Sequence, residues 1–317
     1  MGAPICLLVN PSAGGGKAGR ALLLVLPALE GHGMQVRSEL TRDLSHAREL
    51  ARAAAMGGET VVCLSGDGMV GAVADALRGL PDALLGILPG GRGNDFARVL
   101  GISADPVEAC ATIAEGFSRR IDLGKVGGQA FVGIASVGFD SEANRIANIA
   151  PSWLGGLVYA YGALRALISW TPARFEIELE PPGERHTFHG YTVGACNSKT
   201  YGGGMRAAPG ALLDDGLLDV MVLESVSKVR FVTRILPKVF SGKHVEEPSV
   251  RVFRAREVSI RADRPFTMYA DGDPIGELPL VVSAVPGAVQ VLVPADGAGG
   301  DAFGGDRANE PAAATER

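Results

Sequence analysis

The chain has 317 residues, of which 47% are hydrophobic and 21% charged, with a formal net charge of −5 at pH 7. That length accommodates two domains with separate cores, and the apolar fraction excludes a disordered chain. The acidic balance excludes the basic signature of a nucleic-acid binder, so no nucleic-acid partner is expected. The four cysteines, Cys6, Cys63, Cys110 and Cys196, have no C-x-x-C spacing. They read as small hydrophobes in a reducing, cytoplasmic compartment.

In chain order, "PICLLVN" predicts a first strand and Lys17–His32 a helix, from the spacing of Leu22, Leu23, Val25, Leu26 and Leu29. "MQVRSELT" predicts a second strand, and Ser45–Met56 an Ala-rich helix with Ser45 as its N-cap. "ETVVCLSGDG" gives a third strand, followed by a helix over Val70–Leu80. "ALLGILPGG" gives a fourth strand, and Asp95–Leu100 opens a fourth helix. Strands alternating with helices predict a mainly parallel sheet with helices on its faces, which binds ligands beyond the carboxyl ends of its strands. After about Arg120 the runs shorten to "KVGGQAFVGIASVGFD", "ARFEIELE", "HTFHGYTVGACN", "LLDVMVLE", "EVSIRA", "FTMYADGDP" and "VQVLVP". These predict an antiparallel β-sandwich. The expected layout is an α/β domain over 1–124, a β-sandwich domain over 125–294 and a disordered tail over 295–317, which is poor in apolar residues. The apolar stretch Ile146–Trp170 contains Pro151, Gly155, Gly156 and Arg165, so it reads as a packed helix rather than a membrane span.

Three loops rich in glycine follow predicted strands: "NPSAGGGKAGR", "SGDGM" and "PGGRGNDFAR". Backbone N–H groups in such loops converge on phosphate oxygens, and carboxylates beside them suit a divalent cation. The Walker A spacing is absent. Singly, each loop reads as a tight turn; three on one sheet edge point to a nucleotide-phosphate site.

With these blocks the chain resembles the catalytic family of diacylglycerol kinases, which includes soluble bacterial diacylglycerol kinases, ceramide kinases and sphingosine kinases. "YGGGMRAAPGALLDDGLLDVMVLE" and "ADGDP" extend the resemblance to about Pro294. It implies an α/β nucleotide domain followed by a β-sandwich, with ATP between them, and an ATP- and Mg²⁺-dependent kinase acting on diacylglycerol or a related lipid alcohol. By resemblance, Asn10, Pro11, Ser12, Gly14 and Thr41 meet the nucleotide. Ser65, Gly66, Asp67 and Gly68 line its phosphates with Asn94, and Arg92 faces phosphate where the family has Thr. Asp95 and Asp122 organise Mg²⁺ through water. Asp215, with the carbonyls of Leu212 and Leu217, holds a structural Mg²⁺. Asp271 is the general base, with Asp67 as its rival. Asp273 stands at a nucleotide-side position where the family has Glu. Ser65 replaces the usual first Gly, Met69 a Thr and Ala72 a frequent Glu.

"SKVRFVTRILPKVFSGKH" places Arg230, Arg234 and Lys238 on one helical face and Val232, Ile235, Val239 and Phe240 on another. Such a helix suits an anionic membrane surface, so peripheral association with the inner face of the membrane is expected. The chain is compatible with a homodimer. The alternatives are an NAD kinase-like enzyme and a nucleotide- or lipid-binding regulator with decayed catalysis.

Overall fold

The computed structural model describes residues 4–150, 158–295, 297, 299–304 and 310–311. Contacts divide the chain into two units: Met1–Leu123, Leu213–Asp215 and Pro286–Arg317 form the first, and Gly124–Leu212 and Gly216–Val285 the second.

The first unit alternates strand and helix: β1 (Ile5–Val9), α1 (Ala13–Gly31), β2 (Val36–Leu40), α2 (Leu44–Met56), β3 (Thr60–Ser65), α3 (Asp67–Leu77), β4 (Leu84–Pro89), α4 (Asp95–Val99) and α5 (Cys110–Glu115). β2, β1, β3 and β4 lie side by side and parallel. Every residue of β1 and β3 is buried, as expected of parallel strands covered on both faces. Cys6 and Cys63 are packed there, and burial pushes the Cys6 thiol up to about 11. Three details differ from the sequence reading. The α2 cap is Asp43, whose carboxylate accepts from the His46 N–H at 2.8 Å, two residues before the expected Ser45. α3 begins at Asp67 rather than Val70. Gly14, Gly15 and Gly16 have φ of 60, 69 and 86°, so regular helix in α1 starts only at Lys17.

β5 (Phe117–Val126) begins in the first unit and ends in the second. The second unit continues with β6 (Gln129–Phe131), β7 (Ile134–Gly138), α6 (Phe139–Asn148), α7 (Val158–Ser169), β8 (Ala173–Glu180), β9 (Glu184–Cys196), β10 (Leu218–Glu224), a helical stretch over 228–239, β11 (Val250–Ala255), β12 (Glu257–Ala262), β13 (Thr267–Ala270) and β14 (Asp273–Glu277). Pairing here is antiparallel. β8, "ARFEIELE", buries alternate residues, Ala173, Phe175, Ile177 and Leu179, the mark of a sheet with one covered face. These join one core cluster with Val193, Val220 and Val258. α7 packs Ala163, Ala166 and Leu167, with Trp170 just beyond its end, into a second cluster with Phe139, Tyr191 and Phe231.

β15 (Leu280–Leu292) pairs with β12 at its start, then runs parallel to β4 through Gln290 and Val291. That pairing returns the chain's end to the first unit, where the sequence offered a single boundary after 124. Much of the expected tail lies outside the described residues. Within them Ala302 and Phe303 are buried, Leu213 N–H donates to the Ala302 carbonyl at 2.8 Å, and the Arg119 guanidinium sits over the Phe303 ring. No helix among the described residues is long and apolar enough to cross a membrane; the stretch Ile146–Trp170 supplies α7 and the end of α6, with 151–157 outside the described residues.

Candidate active site

The three loops leave the carboxyl ends of β1, β3 and β4, adjacent strands of one sheet, and they touch. A methyl group added at Gly14 would come within 2.5 Å of the Gly90 carbonyl oxygen. One at Gly91 would lie 2.5 Å from the Gly66 Cα and 2.9 Å from Asn94 Oδ1. Only glycine lets three backbones approach so closely. Hydrogen bonds fasten them: Asn10 N–H donates to the Leu64 carbonyl, Gly90 N–H to the Ser65 carbonyl, and Gly91 N–H to Asn94 Oδ1 at 2.8 Å. Asn94 itself holds a left-handed backbone, φ 50°, and returns its amide to the Gly91 carbonyl. Asn10 Oδ1 accepts from the Ser12 N–H at 3.1 Å, which shapes the first loop. Pro11, Ser12, Lys17, Arg20 and Arg92 are exposed around this junction, so cations flank the glycines. Lys17 and Arg20 were not singled out from sequence, although both stand in the first loop's motif.

Asp67 joins the second loop to the third. Its two carboxylate oxygens accept the N–H groups of Asp95 and Phe96, each at 3.0 Å, at the start of α4. Burial raises its carboxyl above the usual range, with Asp95 adding to the rise, while the two N–H donors act the other way. The resemblance gave Asp67 to the phosphates; its observed partners are backbone amides of the neighbouring loop. Asp95 is buried and paired with Arg98, 2.5 Å from Oδ1 to Nη1. Asp122, also buried, accepts the Gly287 N–H at 2.7 Å. Thr41 gives its hydroxyl to the Val9 carbonyl at 3.2 Å and lies 3.6 Å from Met69 Sδ. Met69 is thus a packing residue, as is Ala72, buried in α3. Ser65 is buried at the end of β3, and Gly66 and Gly68 are half-buried beside it.

The second unit holds its own carboxylate. Asp271 sits in the turn between β13 and β14 with φ 49°, followed by Gly272 at 99°. Its oxygens accept the Val132 and Gly133 N–H groups at 2.8 and 2.9 Å. The same two residues are held from the other side: Asn197 and Ser198 N–H donate to the Gly133 carbonyl, and Asn197 Nδ2 to the Val132 carbonyl at 2.9 Å. Asp271 is therefore fixed in direction by a buried polar clamp. Gly133, Asn197 and Ser198 were not read from sequence. Asp273 is exposed at the start of β14. Beside α6, Tyr201 donates its hydroxyl to Asp140 Oδ2 at 3.0 Å, and burial pushes the Asp140 carboxyl up to about 6.

For the expected metal positions, Asp215 falls in the first unit and Leu212 and Leu217 in the second. The next residue back, Asp214, accepts the Gly304 N–H at 2.7 Å. No three His, Cys, Asp or Glu side chains cluster at metal-binding distance among the described residues. One carboxylate with backbone carbonyls is a hard-oxygen donor set, the kind that suits Mg²⁺.

Comparison with known proteins agrees with this architecture. Residues 4–126 match the diacylglycerol kinase catalytic domain, and residues 133–293 match the YegS C-terminal NAD kinase beta sandwich-like domain. A diacylglycerol kinase of Mycobacterium tuberculosis is 35% identical over 302 residues, covering 92% of this chain and 96% of the relative. A diacylglycerol kinase of Bacillus subtilis is 29% identical over 277 residues, covering 86% and 90%. The crystal structure of a diacylglycerol kinase from Bacillus anthracis superposes with a TM-score of 0.73 at 22% identity, covering 92% of this chain and 97% of that one. The two family models and the curated relatives together define the class, a two-domain lipid kinase. The chain belongs to the diacylglycerol kinase catalytic family, and it is a lipid kinase.

Proposed function

We propose that the protein transfers the γ-phosphoryl group of ATP to the hydroxyl of diacylglycerol, giving phosphatidic acid, at the inner face of the membrane. The observation that carries the nucleotide half of this reading is the junction of Gly14, Gly66, Gly90 and Gly91 at adjacent strand ends. It brings backbone close enough to cradle phosphates, with Asn10, Pro11, Ser12, Gly14, Ser65, Gly66, Gly68 and Asn94 as the contacting loops and Lys17, Arg20 and Arg92 as cations. Thr41 and Asp273 complete the nucleotide-side residues. Asp67 acts by holding the second and third loops in register.

The lipid hydroxyl is a weak nucleophile at neutral pH. Asp271, fixed by two N–H groups, accepts its proton as the oxygen attacks phosphorus; the bond to the β-phosphate oxygen breaks and ADP leaves. Mg²⁺, when bound, would neutralise phosphate charge, with Asp95 and Asp122 serving through water and Asp215 with the Leu212 and Leu217 carbonyls as the remaining oxygen donors. Relatives named diacylglycerol kinase favour a glycerolipid over NAD as the acceptor.

The test is radiolabelled ATP with a panel of diacylglycerol, ceramide, a sphingoid base and NAD in mixed micelles. Label in diacylglycerol is expected. Label confined to another acceptor would overturn the substrate, and label in none would make the chain a decayed regulator.

A further inference from the structure

The helical stretch 228–239 does not offer the basic face expected from its sequence. Glu247 is buried and accepts from Arg230 at 3.1 Å and from Lys238 at 2.5 Å. Phe231 and Ile235 are packed inside. Of the three cations expected to meet the membrane, Arg234 alone has no carboxylate partner among the described residues.

The unusual surface is on α7. Its inward residues are Ala163, Ala166, Leu167 and Trp170 just beyond its end. Its outward residues, at three- and four-residue spacing, are Tyr161, Leu164 and Ile168, with 39, 50 and 69% of their surface open. A helix surrounded by water carries polar groups on that side; here Arg165 is the charged residue. Lys228 Nζ donates to the Ile168 carbonyl at 2.7 Å, which brings the next helical stretch alongside, and there Val229 and Val232 are exposed as well. The sequences 158–169 and 225–245 contain no Asp or Glu. Arg165, Lys228 and Arg234 all lack a carboxylate partner among the described residues.

We propose that the outward face of α7, with Val229 and Val232, seats the second unit on an anionic bilayer. Tyr161, Leu164 and Ile168 enter the boundary between headgroups and acyl chains, and Arg165, Lys228 and Arg234 meet lipid phosphates. The inference rests on the lipid-kinase reading, because the bilayer carries the substrate. A second copy of the chain is the weaker occupant: a two-fold contact would set these cations against their own copies with no acid on the face to pair them.

The experiment sediments the full chain with vesicles of phosphatidylcholine alone and of phosphatidylcholine mixed with phosphatidylglycerol. Replacing Leu164→Gln and Ile168→Gln together should weaken binding to the mixed vesicles by about tenfold or more. Leu23→Gln with Leu24→Gln, an exposed apolar pair of the first unit, should leave it unchanged. Arg165→Glu should weaken binding to the mixed vesicles selectively. As a check independent of these substitutions, Ile168→Cys carrying an environment-sensitive dye should shift to the blue on vesicles; the four native cysteines are buried, so labelling is selective. Undiminished sedimentation of the Leu164/Ile168 variant, or no dye shift, overturns the proposal. So does a variant that changes from dimer to monomer while still binding vesicles, which would make the face a contact between copies. Phosphorylation of short-chain, water-dispersed diacylglycerol separates the two readings. If the wild type phosphorylates no lipid in any form while vesicle binding follows α7, the substrate reading fails and the docking surface stands.

Discussion

Asp67-Gly68 and Asp271-Gly272 are the same dipeptide in the two units, and each carboxylate accepts two consecutive backbone N–H groups. The surroundings differ. Asp67 follows a fully buried strand, opens an 11-residue helix and receives its N–H groups from the start of another helix. Asp271 sits in a turn at φ 49°, and its donors are the two residues before β7. The first arrangement ties two glycine loops together; the second holds the turn between β13 and β14 to the residues before β7. The same local chemistry therefore joins two loops in one unit and fixes a turn in the other.

Asp271→Asn should lower turnover by about 10²–10⁴-fold at saturating ATP and lipid, the range of a lost general base; normal turnover would reduce Asp271 to a turn residue. Gly91→Ala should cost about 10- to 100-fold in ATP affinity by calorimetric titration, because overpacking of about 1–3 kcal/mol would push the second and third loops apart. Asp67→Asn should lower ATP affinity and turnover together by about tenfold, as charge-assisted bonds worth about 1.5–3 kcal/mol are weakened. The smallest effect is on pH dependence. Asp140, with its carboxyl raised to about 6, keeps a proton in the folded state that the unfolded chain releases. Its contribution to stability is present below the ordinary carboxylate range and is lost as pH rises through about 6. Thermal melts of Asp140→Asn should show a smaller fall in Tm across that window than the wild type; an identical fall would remove the assignment.

Much of the first unit was legible because its signals are local. Apolar runs end in glycines and a carboxylate, and "SGDGM" and "PGGRGNDFAR" each mark a strand end and a loop within ten residues. What escaped was non-local. The Asp271 clamp joins residues 138 and 139 positions apart in sequence. No pattern in "KVGGQAFVG" marks Val132 and Gly133 as its donors. The return of β15 to β4 reads in sequence as one more sandwich strand, because its parallel pairing depends on β4, far back in the chain. The basic face of 228–239 looked free for the same reason: Glu247 lies beyond the helix and closes on it only in three dimensions. Helical spacing shows which residues share a face but not which face is turned inward, so α7, apolar on both sides, gave no sign of its open surface.

In the proposed division of labour, nucleotide binding is assembled around Asp67 and proton acceptance falls to Asp271. The most direct test is calorimetric titration of ATP, with Mg²⁺ present, into Asp67→Asn and Asp271→Asn side by side, each paired with its turnover on diacylglycerol. The account predicts that Asp271→Asn binds ATP within about twofold of the wild type while its turnover collapses, and that Asp67→Asn loses affinity and turnover together. Wild-type ATP affinity in Asp67→Asn, or parallel loss of affinity and turnover in Asp271→Asn, would contradict it.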